Sequence, residues 1–344
     1  VAMPESFIEA ITACSAMKKY KINYNKSITL ESLFAAWKGF LKRKRSRADV
    51  AEFQMRLADH LITLYRELVM QTYKHGDYYA FRISDPKPRD IHKAIVRDRV
   101  VHHLVYNMLY PYFDARFIYD SYSSRLTKGT HRALNRYQTF FRKASKNNLR
   151  IAWVLKCDIR KFFANVDHQI LKKILGRRIE SAETLWLLGV IIDSFHTEWT
   201  LNVGLPLGNL TSQLLVNIYM NEFDQYMKRE LKVRHYIRYT DDFVCMSHDR
   251  KFLESLLPRI KTFLKEQLQL ELHPDKVSIA TAGSGVDFLG WVHFSDHRVL
   301  RTSTKWRMLK AVSENPKEET VESYLGILSH GNAHRLSELI CGSC

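Results

Sequence analysis

Two adjacent acids, Asp241 and Asp242, stand between two short apolar runs, and no other feature limits the possible folds of this chain as much. The flanking segments, Arg234 to Tyr239 and Phe243 to Met246, are rich in β-branched and aromatic residues. That spacing predicts two strands joined tightly at the acids, a β-hairpin, and therefore an antiparallel sheet. An Asp pair in a hairpin is by itself ordinary turn chemistry. Here Tyr236, Ile237, Tyr239, Phe243 and Val244 surround it, and half-buried carboxylates repel one another unless a cation joins them. A third acid, Asp158, closes another β-rich segment, residues 151 to 159. If its strand neighbours the hairpin, three carboxylates meet at one end of a sheet.

Charge points the same way. The 344-residue chain carries 53 Lys and Arg against 36 Asp and Glu, a formal charge of +17. Such an excess repels itself unless a polyanion matches it, and nucleic acid is the ready match. A basic chain kept soluble by its charge, or one drawn to anionic lipid, is the alternative. Hydrophobic residues at 46% and aromatics at 12% furnish a core and exclude wholesale disorder. The longest apolar stretch lies within Leu185 to Ile192, too short to span a bilayer, and the first residues lack a signal-peptide layout. A cytoplasmic protein without a membrane partner is expected. No Walker-type glycine loop occurs, which disfavours an ATPase or helicase. Five cysteines, an odd number, argue against a disulfide framework. His330, His334, Cys341 and Cys344 are of zinc-ligand type, but the intervening loop is short for a finger and the cysteines end the sequence. Structural zinc is not expected.

Along the chain, Leu30, Leu33, Phe34 and Trp37, then Phe53, Leu57, Leu61, Leu64 and Leu68, recur at helical spacing. The basic block Lys42-Arg43-Lys44-Arg45-Ser46-Arg47 between them is a phosphate contact, a localisation signal or a solvated turn. Tyr78 to Ile83 reads as a strand and Asp85-Pro86-Lys87-Pro88-Arg89 as a break. A long helix is expected from about His92 to Leu109, stopped by Pro111, and another from about Thr211 to Leu231. Strands and helices mixed in this order predict an α+β fold with an antiparallel sheet rather than a βαβ array.

These residues resemble a known family. Tyr239-Thr240-Asp241-Asp242-Phe243 is similar to the Y-x-D-D box of reverse transcriptases. Lys156-Cys157-Asp158-Ile159-Arg160-Lys161-Phe162-Phe163 resembles their first metal-binding motif, and Gly204-Leu205-Pro206-Leu207-Gly208-Asn209-Leu210-Thr211-Ser212-Gln213 the motif between the two. Leu272-His273-Pro274-Asp275-Lys276 resembles the next palm motif and Asp287-Phe288-Leu289-Gly290-Trp291 the primer grip. Arg82 to His103 and Ser121 to His131 look like fingers motifs. The series keeps family order over roughly residues 78–335. The resemblance implies a right-hand polymerase fold: a helical N-terminal extension (1–76), fingers and palm (77–285), then primer grip and a helical thumb (286–344). It implies RNA-directed DNA synthesis from template RNA, a DNA or RNA primer and dNTPs, with two Mg²⁺ ions per site and Mn²⁺ as a possible substitute.

By the family's pattern, Asp158 and Asp241 bind both metal ions, Asp242 supports them, and the backbone carbonyl of Ile159 completes one shell. Phe163 matches the steric gate that rejects a ribose 2′-hydroxyl. Lys87 and Arg89 match the triphosphate clamp, with a solvated loop as their alternative. Leu207, Gly208 and Gln213 border the nascent base pair. Lys276 assists the leaving pyrophosphate or is a surface lysine. Arg97 and Arg99 reach RNA or pair with Asp98 and its neighbours; Arg125, Lys128 and Tyr239 are nucleic-acid contacts.

The middle motif departs from most of the family, since Leu207-Gly208 replaces Gln-Gly and Ser212-Gln213 replaces Ser-Pro. The resulting G-x-x-x-S-Q resembles the error-prone enzymes of diversity-generating retroelements, whose partners include a small basic accessory protein. Defence-associated and group II intron-like enzymes are the competing subfamilies. A non-catalytic RNA-binding scaffold is the alternative outside catalysis, but it predicts a broken carboxylate triad.

Overall fold

The computed structural model of the chain describes residues 19–84, 88–197 and 200–341. The chain forms two compact units. One holds the residues up to Phe117, Lys161–Glu222 and Leu268–Leu270; the other holds Ile118–Arg160, Phe223–Gln267 and the residues from Glu271 onward. Among the described residues no helix is long and apolar enough to cross a membrane.

The first unit includes helices α1 (Leu30–Leu41), α2 (Ala48–Met55) and α3 (Leu57–Val69). Helix α1 starts at a capping box, in which Thr29 and Ser32 satisfy each other's backbone N–H groups. Its Leu33, Ala36, Trp37 and Phe40 recur at helical spacing and are buried. Strands β1 (Tyr78–Ile83) and β2 (Arg89–Ala94) pair as an antiparallel hairpin from Tyr78↔Ala94 to Ile83↔Arg89. The helix expected from His92 therefore begins later: α4 runs from Val96 to Asp114. It also passes through Pro111, which removes one hydrogen bond from the last turns without ending the helix. Val100, Val101, Leu104, Val105 and Leu109 bury α4, and its His103 ring meets Phe40 of α1 edge-on at 5.8 Å.

The second unit is built on a four-stranded sheet of order β4-β5-β3-β6, in which β3 is Trp153–Asp158, β4 His235–Tyr239, β5 Asp242–Ser247 and β6 Ser278–Thr281. All three pairings are antiparallel. Side chains alternate between faces along each strand. One face presents Val154, Ile237, Val244 and Met246 to a core shared with helix α5 (Thr130–Ala144), whose Leu134, Tyr137, Phe140 and Phe141 are buried. The other face presents Tyr236, Phe243 and Cys245, with Phe223 against Phe243 at 5.1 Å. Each large apolar side chain so buried contributes roughly 1.5–3 kcal/mol. A second antiparallel sheet, β7 (Val286–Phe288), β8 (Trp291–His293) and β9 (Arg298–Leu300), extends the first core through Phe288 and Trp291. Three helices complete the described chain: Thr302–Glu314, Glu318–Leu328 and His334–Cys341.

Candidate active site

The register of the central sheet decides where the acids go. Strand β3 pairs with β5 so that Asp158 lies directly opposite Asp242. In the hairpin Tyr239 pairs with Asp242, which leaves Thr240 and Asp241 as the loop. The Ile159 N–H donates to the Asp241 carbonyl at 3.2 Å, and the His273 N–H donates to the Asp158 carbonyl at 2.8 Å. These bonds tie the end of β3 to the hairpin loop on one side and to the His273 segment on the other.

Their charges are poorly compensated. Burial, reinforced by the neighbouring Asp242 and Asp158, holds the Asp241 carboxyl up at about 6. Burial also raises Asp242, with Lys156 acting against the shift. Asp242 Oδ1 is buried without a hydrogen-bond partner, and the Lys156 ammonium stands 3.9 Å away. Lys276 Nζ is closer to its acid, 2.9 Å from Asp158 Oδ1. An orphaned carboxylate oxygen beside two like charges fits a divalent cation, with Asp158, Asp241 and Asp242 as the oxygen donors. Among the described residues no group of three or more His, Cys, Asp or Glu side chains is placed so that it could hold a metal ion by itself. At Asp158 one oxygen is engaged by Lys276 instead. Lys156 carries no motif signal of its own. Its place two positions before Asp158, hence on the same strand face, is the clue that sequence reading passed over.

Of the residues assigned to the nucleotide, Arg89, Phe163, Leu207, Gly208 and Gln213 lie in the first unit and Lys276 in the second. A cavity of about 560 Å³ is lined by Phe81, His92, Phe163, Phe195, Leu205 and Leu207 among others. Phe163 is half-buried and lines this space, whereas Phe162 beside it is 3% exposed. The Leu207 carbonyl accepts from the His92 N–H at 3.0 Å. Asn209 donates to the His92 carbonyl at 2.8 Å and accepts from the Ala94 N–H at 3.3 Å, so the loop is fastened to β2. Gly208 between them has φ +108°, and a Cβ there would stand 2.9 Å from Ile91. No other residue fits that position without movement. Gln213 is exposed on the first turn of the helix Leu210–Gln225. Arg89 is exposed at the start of β2, and Lys87 lies outside the described residues.

The expected nucleic-acid contacts are differently placed. Arg97 pairs with Glu67 and lies 3.4 Å from Asp98, and Arg99 reaches Asp49 at 2.6 Å, so both are held within the chain. Arg125 donates to the carbonyls of Ile118 and Ser121 at 2.7 and 3.0 Å. Lys128 donates to the Tyr119 carbonyl at 2.8 Å and lies over the Tyr119 ring. The Tyr239 hydroxyl accepts from Thr130 at 3.2 Å. Of the zinc-type residues, His330 stacks on His131 with ring centres 3.6 Å apart, and His334 lies 3.4 Å from Glu338. Cys344 lies outside the described residues.

Comparison with known proteins adds a family. The profile of the family described as "Reverse transcriptase (RNA-dependent DNA polymerase)" matches residues 84–293. Protein YkfC of Escherichia coli (strain K12) is 28% identical over 306 residues, covering 77% of this chain and 78% of that protein. The group II intron-encoded protein LtrA of Lactococcus lactis subsp. cremoris is 22% identical over 310 residues, 69% of this chain and 50% of LtrA. Among solved structures, an apo telomerase from Candida tropicalis, truncated from its C-terminal domain, is similar with a TM-score of 0.50 at 12% identity. That match covers 67% of this chain and 55% of the telomerase chain. The chain thus spans about half the length of LtrA and of that telomerase. The likeness to telomerase gives the architecture: a right-hand polymerase fold, α+β with antiparallel sheets.

Proposed function

The chain belongs to the reverse transcriptase family, the RNA-dependent DNA polymerases, and from that premise we propose that it copies an RNA template into DNA at the carboxylates Asp158, Asp241 and Asp242. The observation that carries the reading is the register of β3 and β5, which sets Asp158 against Asp242 with Asp241 in the adjoining loop. Two Mg²⁺ ions held there would activate the primer 3′-hydroxyl and neutralise the triphosphate. Asp158 and Asp241 would hold both ions, with Asp242 and the Ile159 carbonyl as supporting ligands. Lys276, now on Asp158, turns to the leaving pyrophosphate as its general acid. Lys87 and Arg89 grip the triphosphate, Arg89 with its planar fork. Phe163 lies under the sugar and excludes a 2′-hydroxyl, which selects dNTPs.

In this reading residues 77–285 act as fingers and palm, and the C-terminal segment acts as primer grip and thumb. The substrates are a template RNA and a primed 3′ end. A primer-extension assay on RNA with dNTPs and Mg²⁺ tests the proposal. Wild type extends the primer and Asp241→Ala does not; equal extension by both, or none by wild type, sinks it.

The subfamily reading is a diversity-generating enzyme that works with a small basic accessory protein in the cytoplasm. It is supported by Leu207 at the cavity wall and Gln213 on the following helix turn, where most of the family has Gln and Pro. An apolar Leu207 makes no hydrogen bond at the nascent pair, so mispairs are less strongly rejected. Leu207→Gln with Gln213→Pro is expected to lower misincorporation at template adenines, read by sequencing the cDNA. Unchanged errors there favour the second reading, an intron-type enzyme, for which the similarity to LtrA speaks.

A further inference from the structure

Thr240 is a β-branched residue with φ +58°, the first residue of the two-residue loop between paired Tyr239 and Asp242. That position is usually taken by Gly or Asn, because a branched Cβ resists the left-handed region. Such strain persists only where the surroundings over-determine the conformation. Two side chains hold Thr240 here, the buried Arg238 on its carbonyl and Ser123 on its hydroxyl.

Arg238 is fully buried, and so is its partner Asp224. Its Nε donates to Asp224 Oδ1 at 2.8 Å and its Nη2 to Oδ2 at 2.7 Å, a bidentate pair. Tyr236 donates to the same carboxylate at 2.7 Å. The remaining nitrogen, Nη1, donates to the Thr240 carbonyl at 3.0 Å. Nη2 also reaches Ser121 Oγ at 3.1 Å, while Thr240 Oγ1 lies 2.6 Å from Ser123 Oγ. The backbone repeats the connection: Arg238 N–H donates to Asp120 and Tyr122 N–H donates to Arg238, both at 3.0 Å. Arg238 pairs with Phe243 across the hairpin, so it lies on the sheet face opposite Asp242 and acts from behind the acids.

We propose that Arg238 is a positioning residue for the metal-binding turn: anchored by Asp224, it clamps the strained Thr240 backbone and thereby aims Asp241 and Asp242. The inference rests on the reading that those two carboxylates hold metal. A buried ion pair on its own is weak evidence of a stability role, since a well-packed apolar pair often serves as well. What the apolar pair lacks is the third donor, the one on Thr240. Lysine at 238 keeps the charge and loses the fork.

Three variants test the clamp: Arg238→Met with Asp224→Leu, the same pair with Thr240→Gly, and Arg238→Lys. Each is followed by melting temperature, by Mn²⁺ binding in electron paramagnetic resonance without nucleotide, and by Mg²⁺ titration of primer extension. The apolar pair is expected to fold but to melt below wild type, because the buried Tyr236 hydroxyl loses its acceptor. It should also bind Mn²⁺ about tenfold more weakly and lose on the order of a hundredfold in kcat, the scale of a misplacement near 1 Å. KM for primer–template stays unchanged. Adding Thr240→Gly, which takes φ +58° without strain, restores part of the Mn²⁺ affinity. A folded apolar pair with wild-type Mn²⁺ affinity and Mg²⁺ requirement overturns the proposal. If that pair does not fold, Arg238→Lys decides, and a wild-type Mg²⁺ requirement there overturns it equally. Wild type and Asp241→Ala binding Mn²⁺ alike would remove the metal reading and the clamp together. A difference between those two, with clamp variants equal to wild type, removes the clamp alone.

Discussion

Phe162 and Phe163 are chain neighbours with opposite surroundings. Phe162 is 3% exposed, packed in the core of its unit; Phe163 is half-buried and lines the cavity beside Leu205 and Leu207. Identical side chains therefore do different work. Truncating the buried ring leaves a cavity, so Phe162→Ala is expected to cost about 3–5 kcal/mol of stability in denaturant melts without altering sugar choice. Phe163→Val should leave the melt nearly unchanged and admit ribonucleotides, measured as rNTP incorporation in primer extension. The reverse pattern would mean that Phe162, and not Phe163, faces the sugar. The motif spacing singled out Phe163, but only the burial of its neighbour separates gate from core.

At the scale of elements, the helix Leu210–Gln225 that follows the Gly208 loop is anchored by a buried histidine. His102 on α4 is 1% exposed, with Nδ1 2.5 Å from Thr211 Oγ1 and Nε2 3.2 Å from His75 Nε2. Burial, and then the nearby charges of His75, His103 and Arg99, pushes its pKa down to about 3. The unfolded chain takes up a proton near pH 6.5 while the folded chain refuses it. Stability from this contact is therefore complete above about pH 6.5 and is lost as pH falls toward 3, at up to about 1.4 kcal/mol per pH unit. Urea melts of wild type and His102→Gln between pH 4.5 and 7.5 check this; the variant should show the shallower acid slope. Parallel slopes would place the acid sensitivity elsewhere.

Neither histidine was legible as an anchor, because Thr211 is distant in sequence and carries no pattern pointing back to His102. The same limit hid β2. Arg89, Asp90, His92 and Lys93 show no alternation of apolar and polar residues, and only pairing with Tyr78–Ile83 makes them a strand. The acid-bearing strands were legible, since the runs before Asp158 and around Asp241-Asp242 are apolar and bounded. Their register, and Arg238 behind the turn, had to come from the structure.

For the whole molecule, the 53 Lys and Arg overstate what nucleic acid can use, while the net +17 already counts the acids they pair with. Arg97, Arg99, Arg136 and Arg238 hold Glu67, Asp49, Asp120 and Asp224 within the chain. The block between α1 and α2 differs. Lys44 donates to the Phe40 carbonyl at 2.9 Å, while Lys42, Arg43, Arg45 and Arg47 are exposed. A solvated turn and a phosphate contact look alike in a static structure, but salt separates them. Each phosphate neutralised on a single strand contributes about 0.7 to the slope of log K against log salt. Replacing those four residues by Gln should thus lower the slope for template RNA by up to about 3, if all four meet phosphate. The dNTP KM should not move, because none of the four lines the cavity assigned to the nucleotide. Filter binding over a range of KCl concentrations reads the slope directly. An unchanged slope would make the block a solvated turn, and the phosphate contacts would then lie on other exposed cations.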